Sequence, residues 1–290
     1  MDVHGRRALR LRALRFLIAG VFLLGCVSAP VAGEISAYDV RSGERIRLAE
    51  MAARLRQTPI ILVGELHAQP PIQRGQIRVL EALNAAGKPL AVGLEMFRRD
   101  GQAALDRWVA GDLAESEFQA VFRDHWGPSW SAYRPIFLWA REHRIPLVGL
   151  NVPREITRKV AQSGFASLSE EERGLLEGVT CELDPEYLDY VRRAHGVHGH
   201  GGMDFLFFCE AQMVWDAAMA AHALAHLAAH PGRSMVILTG IGHARRGAVP
   251  RQIAQRSPLP TAVILPAVPG HLDPETVRLE DGDFLLLDLK

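Results

Sequence analysis

The chain lacks the local signatures that name most hydrolases and nucleotide enzymes. It has no Gly-x-Ser-x-Gly elbow, no phosphate-binding glycine loop, no His-Glu-x-x-His motif and no Cys-x-x-Cys pair. No catalytic class can therefore be assigned from a single short motif. Cysteine is scarce, with Cys26, Cys181 and Cys209 the only three in 290 residues. A positive stripe is missing too: net charge is zero over the whole chain, and the part after Cys26 holds 28 basic against 32 acidic residues, net −4. That balance excludes nucleic acid as the main partner. Low-complexity tracts, linkers and coiled-coil heptads are absent.

What is present begins with a basic N-terminus. MDVHGRRALRLRALR precedes an apolar run of ten residues, Phe16 to Gly25. Ten residues are too few to span a bilayer and suit a secretory signal. Leu23-Leu24-Gly25-Cys26 resembles a bacterial lipobox, so residues 1–26 are expected to be a lipoprotein signal, with lipid on Cys26. A plain signal cut after Ala29 or Ala32 is the alternative. Cys181 and Cys209 then either pair in an oxidising compartment or sit buried as small apolar groups.

Beyond the signal, EISAYDVRSGERIRL alternates around a Ser-Gly turn and reads as a hairpin. Apolar strands at PIILVGE, KPLAVGLEMF, IPLVGLN, MVILTG, TAVILPAV and DFLLLDL alternate with helical periodicity. The expected fold is α/β: a mainly parallel central sheet flanked by helices, because strands that are apolar throughout need cover on both faces. The helix-rich stretch of about 153–230 is too long for one crossover and reads as an insertion or cap between the third and fourth core strands. One domain, 34–290, accommodates all of it.

Four of these strands finish with a small residue followed by a polar one. They deliver Glu65 and His67, Glu95, Asn151 and His243. Ligands of open parallel sheets bind beyond the carboxyl ends of the strands, so one shared pocket is expected there. Two carboxylates and two imidazoles are able to hold a divalent metal ion or to run acid–base chemistry on a bound water. Trp108, Trp126, Trp130 and Trp139 are expected mostly in the core, with a place for His125, Trp126 and Tyr133 at the pocket mouth as the alternative. A second cluster, HGVHGHGGM, offers His195, His198, His200 and Met203 on a glycine-rich segment, with Tyr187 and Tyr190 upstream on one helix face. Tyrosine, histidine and methionine all serve as axial haem ligands. His222 and His226 have metal-capable spacing but are expected on a solvated helix face.

These segments together resemble the ChaN-like haem-binding uptake lipoproteins of the Tiki/TraB/erythromycin-esterase superfamily. The resemblance runs over about 35–265 and is carried by VGELHAQPPIQ, GLEMF, PLVGLNVPREI, HGHGGMDFLFFCEAQMVWDAAMA and LTGIGHARRGAVPRQI in that order. It implies a haem-binding protein of iron uptake, lipid-anchored in the bacterial envelope, on the periplasmic face of the outer membrane. Tyr187, Tyr190, His195, His198, His200 and Met203 are the candidate haem contacts, and Arg245 and Arg246 the candidate propionate partners. Two copies enclosing a flat cofactor would make a homodimer. The superfamily's GExH, glutamate and GxxH elements fall on Glu65 and His67, Glu95, and Gly240 to His243. This implies an alternative, a metal-dependent protease or esterase using those four acid and imidazole groups.

Overall fold

The computed structural model describes residues 34–176, 178–195 and 204–290. Strands β1 (Ser36–Asp39) and β2 (Glu44–Arg47) form the expected hairpin, turned at Gly43 with φ 72°. Helix α1 (Leu48–Arg54) leads to β3 (Ile60–Glu65), α2 (Pro70–Ala85) and β4 (Leu90–Arg98). Three helices follow, α3 (Gln102–Ala110), α4 (Glu115–Trp126) and α5 (Trp130–Glu142), before β5 (Leu147–Asn151). The chain continues through α6 (Arg154–Ser163), α7 (Glu170–Gly174), α8 (Pro185–His195) and α9 (Phe205–Ala229) to β6 (Ser234–Gly240). It closes with α10 (Ile241–Ala244), α11 (Val249–Arg256), β7 (Thr261–Pro266) and β8 (Phe284–Leu287).

The eight strands form one sheet in the order β2-β1-β8-β7-β3-β6-β4-β5. All pairings from β8 to β5 are parallel, and β1 alone runs against both its neighbours. The sheet is therefore mixed and mostly parallel. Reversal of β1 puts Ser36 opposite Leu287, on the rim where the parallel strands end.

The unbroken apolar runs of the sequence follow from cover on both faces. Side chains alternate across a strand, and here both alternating sets are buried. Ile61, Val63, Val92, Leu94, Val236 and Leu238 point to one core, shared with the aromatic residues of α3 to α5. Ile60, Leu62, Ala91, Met235 and Ile237 point to the other, shared with α9 and α11. The first core is unusually aromatic: Phe118 stacks on Trp108 at 4.3 Å and meets Phe137 edge-on at 5.1 Å. The helices α4 and α5 are interrupted at 127–129, while Trp130 to Pro135 already belong to α5, with Pro135 inside it.

Strand β4 carries the feature that opens the sheet. It pairs with β6 only as far as Leu94, and its register against β5 shifts between Leu94 and Arg98. Gly149 of β5 accepts this crossing, since a Cβ there would lie 2.5 Å from the Arg98 carbonyl oxygen. Glu95 sits where β4 leaves β6.

Candidate functional site

Strand β3 ends by burying Glu65 and exposing His67. The Glu65 carboxylate is 1% exposed, a cost that only hydrogen bonds can offset. Its Oε1 accepts from His67 Nδ1 at 2.6 Å and from the Tyr133 hydroxyl at 2.7 Å, while Oε2 accepts from the Gln73 amide. Tyr133 comes from α5 and Gln73 from α2, so three elements clamp one carboxylate. Ala68 turns the chain in the left-handed region at φ 54°, and its N–H donates to the Tyr133 oxygen. A non-glycine residue pays conformational energy for that turn. Pro70 and Pro71 then start α2 without needing N–H partners. The His67 ring is left half exposed, 5.0 Å edge-on from Trp126. Its hydrogen bond to Glu65 raises its pKa above the usual imidazole value, against the effect of burial.

The same construction recurs beyond β6. His243 lies on α10, and its Nδ1 is 2.7 Å from Oδ1 of Asp216. The other Asp216 oxygen accepts from the Tyr187 hydroxyl at 2.7 Å. Asp216 and Tyr187 are fully buried on α9 and α8. Burial alone would lower the His243 pKa, but the charge of Asp216 and the hydrogen bond to it raise it to about 9. Burial pushes the Tyr187 hydroxyl well above its ordinary value, so it donates as a neutral phenol. Two tyrosine–carboxylate–histidine chains therefore end at one place.

Between them lies Glu95. Its Oε2 accepts from the Thr239 hydroxyl and the Gly240 N–H, both at 2.6 Å. Asn151 donates its amide to the Glu95 carbonyl at 2.9 Å and fixes the departing strand. Gly240 lets the two sides meet, since a Cβ there would lie 3.1 Å from His67 Cε1 and 3.7 Å from Glu95 Oε2. His67, Glu95, Asn151 and His243 line one cavity of about 320 Å³, joined by Arg98, His125, Trp126, Arg154, Gln212 and Trp215. The convergence expected from the strand ends is thus present in the structure. Glu65 lies behind His67, and Tyr133 is buried behind Glu65 instead of at the mouth.

Other expectations are placed differently. No three His, Cys, Asp or Glu side chains among the described residues are arranged to hold a metal ion. Glu65 faces Tyr133 and Gln73, Glu95 faces Thr239 and Gly240, and His243 faces Asp216; with His67 they do not form a shared coordination shell. The Tyr187 hydroxyl points to Asp216 and that of Tyr190 to the Gly242 carbonyl. Arg246 donates to Asp283 and to the Leu279 carbonyl, and Arg245 lies 3.7 Å from Asp281. Both arginines thus join the β6 side to the segment before β8, away from the strand-end cavity. His222 is buried, not solvated, with Nδ1 2.7 Å from the Leu150 carbonyl oxygen. His195 closes α8, while Cys26, His198, His200 and Met203 lie outside the described residues. Cys181 and Cys209 are free thiols that pack in the same small cluster. Among the described residues, no helix is long and apolar enough to cross a membrane.

Sequence reasoning overlooked Asp216 as the partner of His243, because 27 positions separate them. The shared helix face of Gln212 and Asp216 was the only signal available. Arg98 and Arg154 carried none.

A porphyrin needs an axial ligand, flat apolar walls and donors for its carboxylates. His67 meets the first need, since a carboxylate on Nδ1 fixes the ring and strengthens its other nitrogen as a ligand. Trp126 and Trp215 offer walls and Arg154 a donor, while the nitrogens of Arg98 already donate to Asp100 and Asp124.

Comparison with known proteins gives the following. The profile of the family described as "Haem-binding uptake, Tiki superfamily, ChaN" matches residues 51–253. ChaN of Campylobacter jejuni, whose structure is described as showing cofacial heme binding, superposes with a TM-score of 0.68 at 18% identity. The superposition covers 89% of this chain and 98% of that one. At that identity the likeness is one of fold. Protein RETICULATA-RELATED 5, chloroplastic, of Arabidopsis thaliana is 23% identical over 244 residues, which is 77% of this chain and 32% of the relative. The chain therefore spans about a third of the length of that curated relative.

Proposed function

The chain belongs to the ChaN family of haem-binding uptake proteins in the Tiki superfamily, and on that premise we propose that it binds haem at the mouth of the strand-end cavity, with His67 facing the iron. The observation that carries this reading is the His67 ring, held at Nδ1 by buried Glu65 yet half exposed beside Trp126. A cavity of about 320 Å³ is at the small end of ligand pockets, which run from about 300 to 1,000 Å³. A whole porphyrin exceeds it. The ring therefore lies across the opening, against the two tryptophans, with the helices between β5 and β6 as its cap.

Hemin added to the purified apo-protein should produce a saturable Soret shift, and His67→Ala should change its position and weaken it. Absence of saturable binding removes the reading. An unchanged spectrum in the variant moves the iron ligand elsewhere. Sedimentation with and without hemin reads whether two copies enclose the cofactor.

Hydrolysis is the second reading, favoured by the Asp216–His243 pair opening on the same cavity as Glu95. In it Glu95 and His243 would move protons to and from a cavity water. Turnover of ester or peptide substrates that is lost in His243→Gln supports it, and no turnover ends it.

We also propose an envelope lipoprotein anchored through Cys26, supported by the basic n-region, the ten-residue apolar run and the Leu-Leu-Gly-Cys sequence. Partition of the expressed chain into detergent, lost in Cys26→Ser, is the expected result.

A further inference from the structure

Among the described residues, one buried polar group lining the cavity has no hydrogen-bond partner. Gln212 is 6% exposed and lines the cavity from α9, and its Oε1 is buried with no hydrogen bond. A buried amide in that state is costly. Rotation about its last torsion presents either the carbonyl or the N–H₂ to a ligand, so the surrounding charge decides which one is used.

Five of the described lining residues are basic: His67, which the haem reading keeps for the iron, Arg98, which is paired with Asp100 and Asp124, Arg154, His243, whose ring readily takes a proton beside Asp216, and His125. Burial lowers the pKa of the fifth, His125, and keeps it neutral. The one carboxylate among them, Glu95, turns Oε2 inward to Thr239 and Gly240. Behind the wall, Asp216 and Tyr187 hold the His243 ring. Arg154, which lines the cavity, is tied by one N–H to the His125 carbonyl at 2.8 Å.

We infer that the strand-end cavity is a carboxylate-binding subsite, in which the Gln212 amide and the Arg154 guanidinium donate to the ligand's carboxylate beside the His243 ring that Asp216 and Tyr187 position. The inference rests on the haem reading for its occupant, because a propionate of a porphyrin lying across the mouth would reach inward. A small free carboxylic acid has the same chemistry and is separated from it by experiment.

Three probes are offered to the purified full chain: hemin, hemin dimethyl ester and succinate. The ester keeps the iron and ring and removes both negative charges. Hemin should bind the native protein roughly tenfold or more tightly than the ester, the worth of a hydrogen bond to a charged group. Gln212→Glu, which sets carboxylate against carboxylate, should cancel that preference by weakening hemin more than its ester. Circular dichroism melting checks the variant's fold, and the native-protein arms stand without it. If both porphyrins bind the native protein equally and succinate does not raise its melting temperature, the subsite is wrong and the haem reading survives. If neither porphyrin binds but succinate does, the subsite survives with a free acid as ligand and the haem reading falls. If none of the three binds, both fall.

Discussion

Glu65 Oε1 lies 2.6 Å from His67 Nδ1, and the two residues share a strand end although one is buried and the other half exposed. A carboxylate in that position fixes the ring's orientation and proton placement without itself reaching the cavity. It acts through its neighbour.

Glu65→Gln should therefore leave the fold intact and weaken hemin binding by about 10- to 100-fold, the usual cost of losing an outer partner of a metal-binding histidine. Titration of the Soret band measures it. An affinity equal to that of the native protein would show Glu65 to be structural only.

Tyr133→Phe removes one hydrogen bond from the same carboxylate and leaves a buried acceptor underused. Stability should fall by about 1–3 kcal/mol, read as a lower urea midpoint with an unchanged slope. A midpoint equal to that of the native protein would mean that the Tyr133 bond contributes nothing.

The pH dependence has a definite sign. His243 titrates at its ordinary 6.5 when unfolded and at about 9 when folded, beside Asp216 and near Glu95. The folded state thus holds the proton more tightly. The stabilisation is full below about pH 6.5 and is lost as pH rises through about 9. The stability difference between native protein and His243→Gln should shrink across that window. A difference that grows with pH contradicts the Asp216–His243 ion pair.

Two glycines separate packing from function. Gly149→Ala drives a Cβ to 2.5 Å from the Arg98 backbone oxygen, which side-chain movement cannot relieve, and should cost about 1–3 kcal/mol or more as overpacking. Gly240→Ala is tight only against the movable His67 ring at 3.1 Å, with Glu95 Oε2 at an ordinary 3.7 Å, so it should spare stability and displace the imidazole. Melting temperatures together with hemin titrations distinguish them.

The strands were legible because both faces of the sheet are covered, leaving Ile60 to Val63 and Leu90 to Val92 without a polar interruption. Glu65, His67, Glu95, Asn151 and His243 were legible as polar residues that follow such runs. Their partners were not. Asp216 meets His243, and Tyr133 meets Glu65, through packing of α9 and α5 against the sheet, and no spacing rule reports a contact made by tertiary docking. Arg246 misled for the same reason: its neighbour Asp283 comes from 37 residues further on. Pro135 does not break α5. It stands in the second turn of α5, where the carbonyl that its ring crowds and the bond that it removes lie close to the helix start.

The reversed direction of β1 decides how the molecule is approached. Ser36 enters on the rim where β3 and β6 end, three strand spacings from Glu65, or about 14 Å. Anything that grips the chain upstream of residue 34 grips it by the side that carries the opening. Under the proposed anchor at Cys26, the described domain would be attached from the rim that carries the cavity.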